Sequence, residues 1–387
     1  MIPYGRQDIT QADIDAVVSV LNSDFITQGP AVPKFEAEVA KHCSVEFAIA
    51  SNSATSALHI ACLALGLEAG DWLWTTPNTF VASANCGLYC GAQIDFVDID
   101  PHTYNMSIEA LAQKLVIAKK RGTLPKIVVP VHLCGQSCDM ATIHALGKEY
   151  GFRIIEDASH AIGGKYKGEP IGNCRFSDIT VFSFHPVKII TSGEGGMSVT
   201  NSGNLADKMF RLRAHGISSN SADMHARPAD EIWNYQQLDL GYNYRMTDIQ
   251  AVLGCSQMER LHEYIEKRHT VARRYSESLG DLPIQLPFQH ADSYSSYHLY
   301  PIRVRATECG KTQRYIYDAL RAASIGVNLH YIPVYRQPFY EAMGFKAGYC
   351  PESERHHKET LSIPMYPTLT IAQQDKVIAA IKHVIRA

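Results

Sequence analysis

Ile179-Thr180-Val181-Phe182-Ser183-Phe184-His185-Pro186-Val187-Lys188, followed by Thr191-Ser192-Gly193-Glu194-Gly195-Gly196, carries the reading of the fold. The stretch opens as a continuous apolar, β-branched run, which suits a strand buried on both faces of a parallel sheet. It ends in a polar turn constrained by Pro186 and a glycine-rich segment that lets backbone approach a bound group closely. Outward from it, the first 250 residues alternate similar short runs with helical stretches. Strands are predicted at 47–50, 72–75, 94–97, 127–131, 153–156, 179–184 and 196–200. Amphipathic helices are predicted at 54–65, 140–150 and 205–213. This alternation is the pattern of an α/β domain, a mainly parallel sheet covered by helices.

From 247 to 279 no proline interrupts a helical stripe of Ile249, Val252, Leu253, Met258, Leu261 and Ile265, so one long helix is expected, bent near Gly254. Beyond Pro283 the composition shifts toward Tyr, His and Pro, with helices expected at 311–323 and 371–386. The expected organisation is a large α/β domain over 1–255 and a smaller C-terminal α+β domain over 256–387.

Composition narrows the function. The 387 residues, 46% hydrophobic and 19% charged, belong to a globular chain and exclude collagenous or disordered classes. Thirty-six Lys and Arg against 39 Asp and Glu give a net charge of −3, so no broad basic field attracts nucleic acid or an anionic membrane. The start Met1-Ile2-Pro3-Tyr4-Gly5-Arg6 lacks a signal-peptide pattern and no apolar run is long enough to span a bilayer; a cytoplasmic protein is expected. The ten scattered cysteines then read as reduced thiols rather than a disulfide framework. His132, Cys134 and Cys138 lack a second ligand cluster, and no metal is expected.

Neither familiar nucleotide loop is present. Gly310-Lys311-Thr312 has Arg305 where a P-loop needs glycine, and no G-x-G-x-x-G follows a predicted strand. Instead, Asn52-Ser53-Ala54-Thr55-Ser56-Ala57 joins a strand to a helix with small and hydroxyl side chains, which makes a phosphate cup out of a helix N-terminus. A plain Ser/Thr cap accounts for the segment equally. Ligands of open α/β sheets sit beyond the strands' C-terminal ends, so the residues there belong together. They are Asp157 and His160 after one strand, and Ser183, His185 and Lys188 after another. An amine, an acid and a phosphate cup are the groups pyridoxal phosphate requires.

The strings Asn52 to Leu58, Thr79-Phe80-Val81-Ala82, Glu156-Asp157-Ala158-Ser159-His160-Ala161, Ser183 to Lys188 and Gly241-Tyr242-Asn243-Tyr244-Arg245-Met246-Thr247 resemble the DegT/DnrJ/EryC1/StrS family of nucleotide-sugar aminotransferases. The resemblance runs from about residue 4 to about residue 370. It implies the aspartate-aminotransferase-like fold (PLP fold type I) and transfer of an amino group from L-glutamate to C4 of a UDP-linked 4-keto-6-deoxy hexose. By that resemblance Lys188 is the cofactor-linking lysine and proton shuttle, Asp157 the acid on the pyridine nitrogen, and His160 the group beside the ring oxygen. Phe80 would stack on the ring, although its spacing also fits a core residue. Ala54, Thr55 and Ser183 match phosphate ligands. Asn243 matches a side chain that reaches the phosphate of the partner subunit, which implies a homodimer with shared sites.

For the sugar, the resemblance implies Tyr4, Gln28, Gly29, Ser56, His185, His330 and Tyr331, the last two being equally readable as aromatic packing. No single arginine stands out for the donor carboxylate: Arg213, Arg227 and Arg245 are candidates, each also readable as an ion pair. A lysine rather than a histidine at 188 argues against the related sugar dehydratases. Two alternatives stand beside this reading. One is an aminotransferase for another nucleotide-linked keto sugar, and the other a non-catalytic regulator that binds the same cofactor.

Overall fold

The computed structural model describes residues 1–226, 228 and 235–386. Its centre is a seven-stranded sheet of β1 (Phe47–Ser51), β2 (Trp72–Thr75), β3 (Gln93–Phe96), β4 (Ile127–Val129), β5 (Arg153–Asp157), β6 (Ile179–Ser183) and β7 (Gly196–Thr200), in the order β1-β7-β6-β5-β4-β2-β3. All neighbours pair in parallel except β7, which runs antiparallel to both β1 and β6. Each predicted strand is present, with ends moved by at most two residues.

Successive side chains on a strand point to opposite faces. Leu73, Ile127, Val129, Ile155 and Val181 therefore join one core, against α3 (Ala54–Ala64), α4 (Ala82–Tyr89) and α7 (Gly203–Arg213). Trp74, Val128 and Ile154 face the other way, toward α5 (Ile108–Arg121) and α6 (Met140–Tyr150). Phe182 and Val199 meet α2 (Ala31–Cys43) and α8 (Asp248–Met258) on that second face. On the rim of the fold, α1 (Gln11–Leu21) packs on α8 and leaves Ile14, Val18 and Leu21 exposed.

The long helix expected over 247–279 is two helices. α8 ends at Met258 and α9 (Leu261–Leu279) begins after Glu259 and Arg260. The break has a side-chain cause: Arg260 leaves the helical path with both carboxylate oxygens of buried Asp13 at 2.7 Å. α8 runs uninterrupted through Gly254. This residue is small because the Phe35 ring lies against it, 2.6 Å from where a Cβ would stand.

A separate core joins Val271 and Tyr275 of α9 with β8 (Tyr300–Arg303), α10 (Gln313–Ala322), β9 (Thr360–Ile363) and α11 (Ile371–Arg386). We propose a two-domain division with its border at 255/256. α9 would straddle it, giving Leu261, Tyr264 and Ile265 to the core behind the sheet, while Val334, Tyr335 and Tyr340 return from the second part to pack on the first.

Candidate active site

The strand ends place the site. Ser51, Gly196 and Ser183 lie side by side in register across β1, β7 and β6, and Asp157 ends β5 opposite Val181. Ser53 then caps α3, its Oγ accepting the Ser56 N–H at 3.1 Å, and the chain climbs away with the N–H groups of Ala54 and Thr55 open. Gly196 allows this approach. A Cβ there would lie 2.4 Å from the Ser53 carbonyl oxygen and 2.5 Å from the Ala54 nitrogen.

Beyond these ends lies a cavity of about 1020 Å³. Its lining brings together most of the predicted residues: Ala54, Thr55 and Ser56 on the cup side, Asp157, His160, Ser183, His185 and Lys188 across the strand ends, and Phe80 above them. Tyr4, His330 and Tyr331 form the wall contributed by the N-terminus and the C-terminal part. Phe80 is no core residue. It is 61% exposed and lines the cavity.

Lys188 is half-buried at the end of a turn in which its N–H donates to the His185 carbonyl at 2.9 Å. Burial lowers its pKa to about 8, against an opposing pull from the Asp157 carboxylate. Buried Asp157 is held from both sides: Ser83 Oγ donates to Oδ2 at 2.6 Å, and Ser159 donates to Oδ1 through its hydroxyl at 2.6 Å and its N–H at 3.1 Å.

His160 is neutral, its pKa pushed well below the usual imidazole range by burial and then by Lys188 and His330. Its Nδ1 accepts the Cys134 N–H at 3.3 Å, so the proton sits on Nε2, 3.2 Å from the Tyr331 hydroxyl. His330 is lowered to about 3, again by burial first and Lys188 second, and its Nδ1 bonds Ser362 Oγ at 2.8 Å. It therefore offers hydrogen bonding rather than positive charge.

Three predicted residues lie elsewhere in this chain. Gln28 is exposed, and Gly29 donates its N–H to Asp248 at 2.7 Å in the turn before α2. Asn243 is exposed, its carbonyl beside the Asn52 amide at 3.5 Å. None of the three lines the cavity.

Among the arginine candidates, Arg213 is committed to Glu36 at 2.5 Å and the Ala50 carbonyl at 2.6 Å, Arg245 does not line the cavity, and Arg227 lies outside the described residues. His132 is bonded through Nε2 to Glu156 at 2.7 Å and through Nδ1 to the Cys138 N–H at 3.2 Å.

The strand-end rule misses His298, Asn328 and Gln337, which also line the cavity, and Ser83, which stands behind Asp157. Ser83 had a readable signal, because it falls in the first turn of the helix after β2. His298, Asn328 and Gln337 had none, since they arrive from segments more than a hundred residues away.

The model of the DegT/DnrJ/EryC1/StrS aminotransferase family matches residues 7–382. The chain belongs to that family. It is 36% identical to the UDP-4-amino-4,6-dideoxy-N-acetyl-β-L-altrosamine transaminase of Campylobacter jejuni, over 96% of this chain and 94% of that one. The solved structure of Helicobacter pylori PseC, an aminotransferase involved in the biosynthesis of pseudaminic acid, superposes with a TM-score of 0.89 at 28% identity, covering 100% of this chain and 99% of that one. The PLP-form structure of Spr1654 from Streptococcus pneumoniae gives 0.88 at 27% identity, covering 100% and 98%.

The protein is thus a PLP-dependent sugar aminotransferase of fold type I. Its cavity suits pyridoxal phosphate in donor chemistry. A partly deprotonated amine, a twice-held carboxylate and the backbone cradle opposite Gly196 are the donors and acceptors that its aldehyde, ring nitrogen and phosphate would need. Among the described residues no helix is long and apolar enough to cross a membrane, and no cluster of metal-ligating side chains occurs.

Proposed function

We propose that the enzyme transfers the amino group of L-glutamate to C4 of UDP-2-acetamido-2,6-dideoxy-β-L-arabino-hex-4-ulose, giving UDP-4-amino-4,6-dideoxy-N-acetyl-β-L-altrosamine, a step of pseudaminic acid biosynthesis. The observation that carries amino transfer is Lys188: an amine brought to about 8 and facing the cavity beside Asp157. Likeness to the altrosamine transaminase supports the choice of sugar.

Bound pyridoxal phosphate supplies an electron sink for the carbon that loses its proton. In this reading Lys188 would hold the cofactor through its amine and, when free, would carry the proton at the substrate's reacting carbon. Its lowered pKa leaves a useful fraction of free amine near neutrality. Asp157 keeps the ring nitrogen protonated, and Ser83 and Ser159 fix its carboxylate plane. His160, whose Nε2–H faces the Tyr331 hydroxyl, would stand beside the ring oxygen, and Phe80 would cover the ring. Ala54, Thr55 and Ser183 hold the phosphate. Tyr4, Ser56, His185, His330 and Tyr331 would meet the nucleotide sugar.

Asn243, Gln28 and Gly29 act in a homodimer in this reading, reaching the neighbouring subunit's cavity. Two facts support it: they stand outside their own cavity, and the apolar face of α1 continues into exposed Phe25 and Ile26 beside Gln28.

The test follows release of 2-oxoglutarate from glutamate with each of several UDP-linked 4-keto sugars. Preference for the arabino-configured ketone is expected; equal turnover of all of them would sink the proposed substrate. A visible absorption band that glutamate fails to bleach would instead favour a non-catalytic regulator.

A further inference from the structure

Behind the strand ends, a line of buried hydroxyls leads from the loop after β2 to Asp157. Thr79 lines the cavity and is itself buried, and its Oγ1 lies 2.7 Å from the Oγ of Ser83, four positions on in α4. Ser83, also buried, stands 2.6 Å from Asp157 Oδ2.

Proton count fixes the direction of donation, because a hydroxyl has one proton to give. Ser83 has two acceptors in reach, Asp157 Oδ2 and the Phe80 carbonyl at 3.4 Å, and the shorter bond to a carboxylate takes the proton. Toward Thr79, Ser83 Oγ can then only accept. The relay therefore runs from Thr79 to Ser83 to Asp157, and Thr79 makes no other side-chain hydrogen bond among the described residues.

Both ends are anchored. Next to Thr79, buried Asn78 donates through Nδ2 to His356 Nδ1 at 3.1 Å and accepts the Ser353 hydroxyl on Oδ1 at 2.5 Å, which ties the loop to the helix Pro351–Glu359. The Pro77 carbonyl accepts the Val334 N–H at 3.0 Å. At the other end the Asp157 N–H donates to the Pro130 carbonyl at 2.9 Å, and the Asp157 carbonyl accepts the His132 N–H at 3.0 Å. The acid cannot swing away from the relay. Its two oxygens are used unequally: Oδ1 accepts two bonds from Ser159 and Oδ2 one from Ser83. With about two lone pairs on each oxygen, the position left open is on Oδ2.

We propose that Thr79 and Ser83 are positioning residues that act through Asp157: their relay weakens Oδ2 as a base, so that the proton it shares with the ring nitrogen of pyridoxal phosphate rests on the nitrogen. The inference rests on Asp157 being the ring-nitrogen acid, as proposed above. A hydrogen bond to a carboxylate is stronger than the same bond to a neutral carboxylic acid, so Ser83 favours the ionised acid beside a protonated ring over the neutral pair. The difference is worth about tenfold in that proton's distribution. Thr79 polarises the Ser83 hydroxyl and contributes about twofold.

The experiment reconstitutes the holoenzyme with pyridoxal phosphate labelled with 15N in the ring and records the resonances of that nitrogen and of the proton bonded to it. Asp157→Asn, whose amide cannot hold the carboxylate charge, marks the neutral ring. Ser83→Ala should draw the proton toward Oδ2, moving its resonance downfield and the nitrogen resonance toward the Asp157→Asn position. Thr79→Val should move both the same way by less, and Thr79→Ser, which keeps the hydroxyl, should restore them. A packing role alone predicts lower unfolding stability in Ser83→Ala and Thr79→Val with both resonances in place, and that result overturns the proposal. A Thr79→Ser enzyme that behaves like Thr79→Val overturns it as well. If Asp157→Asn leaves the nitrogen resonance where wild type has it, the assignment of Asp157 fails and the relay with it; if Asp157→Asn moves it and the hydroxyl variants do not, the relay alone fails. Should Ser83→Ala not take up the cofactor, Thr79→Val and Thr79→Ser decide.

Discussion

Replacing Gly196 by alanine tests whether the phosphate cup depends on backbone contact between β7 and the cap of α3. The added methyl would stand 2.4 Å from the Ser53 carbonyl oxygen and 2.5 Å from the Ala54 nitrogen, where ordinary contact begins at 3.4 Å. Both neighbours are backbone, so no side-chain rotation relieves the clash, and the first turn of α3 must retreat from β7 by about 1 Å. Overpacking of this kind costs about 1–3 kcal/mol of stability. The same retreat withdraws the open N–H groups of Ala54 and Thr55 from the bound phosphate. A hydrogen bond to a charged group is worth about 1.5–3 kcal/mol, so losing one weakens cofactor binding about ten- to a hundredfold.

The assay is titration of apo-protein with pyridoxal phosphate, read by absorbance, beside urea unfolding of the cofactor-free protein. Gly203→Ala is the control, because its methyl would meet only the Phe47 ring, at 3.7 Å. Wild-type affinity and wild-type unfolding in Gly196→Ala would refute the argument, since the clash would then have been absorbed elsewhere without moving the cup.

Two further outcomes follow from buried charge. Lys188 titrates near 8 in the folded apo-protein against 10.5 for the free side chain, so between those values the unfolded chain holds a proton that the folded amine has released. Stability should therefore rise with pH through that window, and the rise should shrink in Lys188→Met when unfolding is compared at both ends. Arg303, 1% exposed, bonds Glu359 at 2.6 Å and Glu352 at 2.8 Å; Arg303→Met strands two carboxylates and should cost about 3 kcal/mol in urea unfolding, with Lys188 chemistry unchanged.

The site was half legible in the chain. Lys188, Asp157, His160 and the 52–57 cup follow from reading what comes directly after each strand, because a parallel sheet brings all those ends to one edge. Phe80 was ambiguous on spacing alone, since a core aromatic and a cavity aromatic share it; exposure separates them. The break at Arg260 was invisible because its cause, Asp13, lies 247 positions away.

Local pattern therefore determined what depends on neighbours in the chain: the α/β class, the seven strands and the cap in the 52–57 segment, all of which follow from side-chain periodicity and short-range hydrogen bonding. The tertiary structure alone decided what depends on approach between distant segments. It reversed β7 between β1 and β6, so that Gly196 meets Ser53, and brought Tyr4, His298 and His330 to the same cavity as Lys188. Such contacts are fixed by the packing of whole layers, and no window of sequence contains both partners.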